Sequence, residues 1–309
     1  MIISIVNNWR KAENKHAKFL FDLVSAKILK LDRTLLVESK VVQFLEEVTH
    51  YLIISGRDDI LLSISIYNDY LNSFNDEINR QGFIKKIRSI FDYDNFVKKN
   101  GDWNAYELCK DSLTRTCPYC NQSYAFTLQA GRRGFRPTLD HYYSKDDYPH
   151  LALSLNNLVP SCYTCNSNLK GKKDFFKIPH LNPLWDDENI SFSFSHVRGV
   201  VNLEKDVCAA PEGLIVNTNV DTLCDRTNKS IETFLIKERY ELVAFEAATF
   251  AKSKLEYLYA KETGIPYFEK ISEATIIRFD AEEYTQYLLG KLLLGINNQI
   301  NGLKRDNIN

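Results

Sequence analysis

Four cysteines stand in two pairs, Cys117-Pro-Tyr-Cys120 and Cys162-Tyr-Thr-Cys165, with 41 residues between the pairs. Each Cys-x-x-Cys spacing sets two thiolates on one tight turn. Two such turns supply the four soft ligands of a tetrahedral structural zinc, at about 2.3 Å per Zn–S bond. The interval is longer than in an ordinary zinc ribbon, which implies a unit inserted between the knuckles. That insertion holds residues suited to chemistry, Thr138-Leu-Asp140-His141 and then Asn156-Asn157-Leu-Val-Pro160, and Asn166 follows directly after the second pair. An imidazole with an ordinary pKa of about 6.5 can take a proton from water near neutral pH, so His141 is the candidate general base. Asp140 and Asn166 offer hard oxygen ligands, which favour Mg²⁺ or Mn²⁺ over zinc or nickel as a catalytic divalent ion. Asn168 is close enough in sequence to take the place of Asn166.

Lys170, Lys172 and Lys173 follow as Lys-Gly-Lys-Lys and are candidates to meet phosphates flanking a scissile bond, although such runs are also ordinary solvated faces. Arg132, Arg133 and Arg136 lie around a Gly-containing hairpin tip and could track a nucleic-acid backbone in the same way. A redox dithiol is the rival reading of Cys-Pro-Tyr-Cys. A redox knuckle follows a strand and opens a helix, whereas Asn121 to Leu128 is strand-like and the second pair would be left without a role. Cys109, Cys208 and Cys224 read as core residues, and His50, His150, His180 and His196 as structural histidines.

Three regions must position these groups. Residues 1–112 read as a helical scaffold or docking region: Val41, Phe44, Leu45, Val48 and Leu52 repeat at the spacing of one buried helix face, and Gly56, Gly82 and Gly101 are expected breaks. Trp103 to Leu113 reads as a short helix leading into the first knuckle. Residues 113–178, with short alternating runs and Gly and Pro punctuation, suit small strands around a metal. Residues 179–309 begin with a small hairpin, Ile190 to Val201 with Gly213 to Asn217, and continue as helices. One long amphipathic segment is expected through Ile231, Phe234, Leu235, Leu242 and Phe245, and another over Ala281 to Ile300.

With 39 basic and 40 acidic residues the chain is no global polycation, so any affinity for nucleic acid must be local. The 113–178 window supplies it, with nine basic residues against four acidic ones. At 44% hydrophobic and 12% aromatic, the chain can bury a sizeable core. No apolar run reaches the roughly 18 residues of a membrane span and no secretory leader is legible, so a cytoplasmic protein is expected.

Asp-His, a central Asn, and a second Cys-x-x-Cys followed by Asn, in that order between knuckles, resemble the HNH (ββα-metal) endonucleases. The stretch LDHYYSKDDYPHLALSLNNLVPSCYTCNSNLKGKKDF, with CPYC upstream and HLNPLWDD downstream, is similar to the PtuB-type HNH nucleases of Septu and retron-associated antiphage systems. The likeness covers about residues 110–200. It implies an α+β fold: a small ββα-metal core with a four-cysteine zinc site, embedded between mainly α-helical N- and C-terminal regions. It places Asn157 where its side chain bonds across a loop and orients the histidine without touching the metal. Asn166 departs from the pattern, since many members carry His there. The resemblance further implies a toxic phosphodiester hydrolase with DNA as the favoured substrate, working with a PtuA-type ABC/SMC-like ATPase and in some assemblies a retron reverse transcriptase with its RNA-linked DNA. RNA, including tRNA, is the alternative substrate, and a non-catalytic zinc-stapled adaptor the alternative class.

Overall fold

The computed structural model describes residues 2–53, 56–99, 101–131, 133–199, 202, 206–207, 211–220 and 224–306; Arg132 and Cys208 lie outside the described residues. The N-terminal region is helical: α1 (Glu13–Ile28), α2 (Leu36–Ile53), α3 (Arg57–Asn72), α4 (Glu77–Ile90), and the short α5 (Tyr93–Phe96) and α6 (Ala105–Lys110). The apolar stripe of α2 is buried as its spacing requires, and Phe44 meets the rings of Tyr67, Tyr70 and Phe83 at 5.4 to 5.8 Å. Side-chain caps set three starts: Asp76 accepts from Asn79 N, Asp92 from Asn95 N, and Asn104 from Tyr106 N. Gly56 precedes α3 and Gly101 lies between α5 and α6, but Gly82 sits inside α4. There the burial of Phe83 and Ile87 outweighs the roughly 1 kcal/mol that glycine costs a helix.

Among the described residues, six strands form three separate antiparallel pairs. β1 (Leu128–Ala130) and β2 (Arg133–Phe135) make a hairpin exposed on both faces. β3 (Thr138–His141) pairs with β4 (Leu158–Ser161), setting Asp140 opposite Val159 and His141 opposite Leu158. The chain then passes the second knuckle into a π-helical segment, Thr164–Lys170, giving the order strand, strand, helix. β5 (Ile190–His196) and β6 (Leu214–Val220) form the third pair, with Ile190, Phe192, Phe194 and His196 buried in alternation. The expected strand over 121–128 is instead irregular, joined only by a bridge between Thr116 and Tyr124. Asn121 takes a left-handed turn there, which asparagine tolerates.

The C-terminal region holds α7 (Asp225–Phe234), α8 (Ile236–Glu241), α9 (Ala244–Glu262), α10 (Pro266–Lys270), α11 (Glu273–Ile277) and α12 (Gly290–Asp306). The single long segment expected through Phe245 is broken at Leu235, whose left-handed backbone redirects the chain. Leu242 and Phe245 are left exposed, while Phe234 stacks on Tyr119 and Tyr240 on Phe192. The expected helix over 281–300 begins only at Gly290. A Cβ there would lie 1.8 Å from the Tyr284 carbonyl oxygen, so the approach requires glycine. The architecture is α+β, and one hydrophobic cluster runs from Ile2 to Ile300 through all three sequence regions. Asp186 ties the flanks together polarly, accepting from Arg57 of α3 and Arg226 of α7. Among the described residues, no helix is long and apolar enough to cross a membrane.

His16 of α1 is fully buried, its Nε2 2.6 Å from the Leu153 carbonyl oxygen, while its Nδ1 accepts from Trp103 Nε1 at 3.0 Å. Only the neutral Nε2–H tautomer satisfies both bonds, and burial pushes the pKa down to about 4. Because the folded-state value lies below the ordinary 6.5, stability is full above pH 6.5 and is lost as the unfolded chain takes up the proton. From pH 7 to pH 5 His16 alone is expected to remove about 2 kcal/mol, checked by urea unfolding at both pH values in wild type and His16→Gln. An equal pH dependence in the two proteins would contradict this assignment.

Candidate functional site

The two knuckles come together across the insertion. The sulfurs of Cys117, Cys120, Cys162 and Cys165 all lie within 4.8 Å of one another, with 4.0 Å between Cys120 and Cys162. A tetrahedral zinc would set its sulfurs ~3.8 Å apart, so the cluster fits such an ion with little adjustment. Donors suited to thiolates surround it: Gln122 N to Cys120 Sγ at 3.5 Å, Cys165 N to Cys162 Sγ at 3.4 Å, and Arg239 Nη1 to Cys165 Sγ at 3.4 Å. This four-cysteine cluster could hold a structural metal such as zinc. Among the described residues no other group of three or more His, Cys, Asp or Glu gathers in this way.

The first knuckle is also where distant parts of the chain attach. Ile2 N and Ile3 N donate to the Pro118 carbonyl at 2.9 and 3.1 Å, and Tyr240 Oη donates to the Cys120 carbonyl at 2.8 Å. Asn121 accepts from Leu289 N at its carbonyl and from Lys291 N at Oδ1, while its amide donates to Thr116 Oγ1 and the Tyr287 carbonyl.

β3 delivers Asp140 and His141 side by side. His141 Nε2 lies 2.9 Å from the Ala152 carbonyl oxygen, and the Tyr93 ring stands edge-on to the imidazole at 4.4 Å. Burial, offset in part by the Ala152 bond, pushes the His141 pKa down to about 4, so the ring is neutral at pH 7. With Nε2–H donated to Ala152, Nδ1 is left as the acceptor. Asn157, fully buried, accepts from Tyr143 N at 2.7 Å and donates to the Tyr143 and Leu151 carbonyls at 3.0 and 3.1 Å. It therefore pins both ends of the 143–151 loop, one residue before the carbonyl that holds His141.

Asp140 has partners the sequence did not disclose. Its Oδ2 accepts from Tyr119 Oη at 2.6 Å and its Oδ1 from Lys170 Nζ at 2.9 Å. Lys170 Nζ also donates to the His141 carbonyl at 2.6 Å, and Lys170 is 4% exposed. Lys170 is thus the counter-ion of Asp140 and not the solvent-facing phosphate contact expected from its Lys-rich run. Tyr119 could be noticed as the aromatic inside Cys-Pro-Tyr-Cys, but its reach to β3 is a tertiary fact.

An open cleft of about 380 Å³ is lined by Asp140, His141, Asn166, Lys170 and, at its rim, Arg136, Lys145, Lys172 and Lys173. Lys172 and Lys173 are exposed. Asn166 faces this cleft, whereas Asn168 is exposed and does not line it. Arg133 is exposed on β2, and Arg136 lies over Tyr106 at 5.4 Å. The oxygen donors Asp140 and Asn166 suit a hard divalent ion. The ammonium of Lys170, held between two oxygens, marks a point where positive charge is already stabilised. A divalent ion bound through Asp140 would share that carboxylate with Lys170 or displace it. His150 and His180 are buried elsewhere, His196 lies 3.9 Å from Asp206, and His50 is exposed beside Tyr51; none lines the cleft.

In comparisons with known proteins, no family model and no solved structure matches the chain. A stretch of 48 residues is 44% identical to the Septu protein PtuB of Bacillus thuringiensis, covering 16% of this chain and 18% of that one. The likeness is PtuB-like and local. It spans under a fifth of the length of PtuB.

Two outcomes follow from the geometry. Metal analysis of the purified protein is expected to find about one zinc per chain, lost in Cys120→Ser and Cys165→Ser but kept in Cys109→Ser. Lys170→Met leaves a buried carboxylate without its counter-ion and is expected to cost about 3–5 kcal/mol. The double variant with Asp140→Asn should recover much of that in denaturant unfolding, whereas simple additivity would refute the pairing.

Proposed function

We propose that this chain is a zinc-stapled, metal-dependent HNH-type endonuclease that hydrolyses phosphodiester bonds. The observation that carries the reading is the neutral His141, fixed through Nε2 by the carbonyl of a loop that Asn157 pins, beside Asp140 in a cleft with a basic rim. In this role His141 Nδ1 accepts the proton of the attacking water, and Asn157 acts only through the loop that orients the ring. Asp140 and Asn166 would hold a Mg²⁺ or Mn²⁺ ion, which supplies charge stabilisation for the crowded phosphate and the leaving oxygen. Lys172, Lys173, Lys145 and Arg136 draw the polyanion to the rim. DNA is the favoured substrate.

The local likeness to PtuB supports a place in Septu-type antiphage defence. In this proposal the chain is a toxic cytoplasmic effector working with a PtuA-type ATPase and, in some systems, a retron reverse transcriptase with its RNA-linked DNA. In that assembly residues 1–112 and 179–309 serve as docking scaffold around the 113–178 core. A second reading has a specific observation behind it. Both oxygens of Asp140 already have protein partners, as they would in a zinc-stapled adaptor that performs no chemistry.

The test compares Mg²⁺-dependent cleavage of DNA and of total RNA by wild type and His141→Ala, each copurified with its partners at matched zinc content. Loss of cleavage by at least about 100-fold is expected in the variant, with DNA the substrate lost. Cleavage restricted to RNA would move the substrate to that polymer, and undiminished cleavage by His141→Ala would leave the chain an adaptor.

A further inference from the structure

The β1–β2 hairpin is an arm that the chain's own core does not explain. All six of its strand residues are exposed, and an isolated two-stranded ribbon is marginal in water. Three aromatic rings nevertheless run along it in contact: Tyr124 with Phe126 at 5.1 Å, and Phe126 with Phe135 at 5.6 Å. They are 50%, 37% and 51% exposed, too open for an ordinary core cluster. The arm's geometry is specified, since a Cβ on Gly134 would lie 2.3 Å from the Leu128 carbonyl oxygen.

Charge identifies the occupant. From Asn121 to Leu139 the sequence has no acidic residue, while Arg133 and Arg136 flank the last aromatic. Arg136 lines the cleft, and Thr138 begins the strand that carries Asp140 and His141. The ladder thus continues into the basic rim. A polyanion bearing flat apolar rings complements such a surface. Bases stacked inside a duplex hide their faces, whereas unpaired bases present them.

We propose that the arm binds unpaired nucleic acid, with Tyr124, Phe126 and Phe135 stacking on bases and Arg133 and Arg136 on the backbone that leads to the cleft. This deepens the nuclease reading and rests on it for what happens at the cleft. Stacking is tolerant of sequence, so the arm selects strand state and not base identity.

The experiment measures fluorescence anisotropy of labelled oligothymidylate of about 20 nucleotides, and of a duplex of the same length, with the full-length zinc-loaded chain. His141→Ala serves as background so that the probe stays intact. Adding Phe126→Ala and Phe135→Ala together is expected to weaken single-strand binding by about tenfold or more, leave duplex binding unchanged, and keep zinc content and melting temperature. Phe135→Trp should retain the affinity. Unchanged single-strand binding, equal losses on both probes, or no oligonucleotide binding at all would overturn the proposal. So would loss of copurification with the ATPase at constant oligonucleotide affinity, which would make the arm a protein-docking surface. Cleavage by wild type compared with His141→Ala separates the two readings. If His141→Ala still cuts, the nuclease assignment fails whatever the arm does; if it does not cut but the arm variant binds normally, only the arm assignment fails.

Discussion

Cys120 and Cys162 are separated by 41 residues, and closing such a loop costs an unfolded chain roughly 3 kcal/mol or more of entropy. Gathering four thiols at its neck therefore needs something that holds them, and a soft metal such as zinc, which the cluster could hold, would do so. Much of the described structure is arranged on that neck. The N-terminal residues hydrogen-bond to Pro118, α8 reaches Cys120 through Tyr240, and the start of α12 is seated on Asn121. The knuckle is accordingly the point where segments at both ends of the chain meet, and the insertion is anchored at both of its ends.

A second constraint is the buried negative charge of Asp140. Sequence spacing sets it beside His141, but its environment comes from elsewhere: Tyr119 from the knuckle on one oxygen and Lys170 from the π-helical segment on the other. A buried carboxylate without such partners would be costly. His141 is held differently, by a neutral hydrogen bond to a backbone carbonyl whose loop Asn157 has fixed. One residue of the pair is thus bound by charge and the other by backbone geometry. The knuckle and the cleft are mechanically continuous through the short Tyr119–Asp140 bond.

What could be read in the sequence was what depends on local order. The two Cys-x-x-Cys turns, the helical periodicity of Val41 to Leu52, and the alternation of Ile190 to His196 all appear as their spacing requires. The elements misread are those decided by contacts far along the chain. Leu235 breaks a periodic stretch so that Phe234 and Tyr240 can pack on Tyr119 and Phe192, and α12 starts only at Gly290, where Leu289 N and Lys291 N on either side donate to the distant Asn121. Lys170 shows the same limit in the cleft. Its neighbours Lys172 and Lys173 are exposed as a basic run suggests, while a carboxylate 30 residues away draws Lys170 inward.

The most direct test of the knuckle as the organising point is amide hydrogen exchange on the zinc-loaded protein and on the same protein after chelation. Chelation is expected to remove protection together from the knuckles, from β3 and β4, and from the N-terminal turn of α12 near Leu293, because all are fastened to the same turn. Loss confined to the few residues around each Cys-x-x-Cys, with β3, β4 and α12 as protected as before, would contradict it.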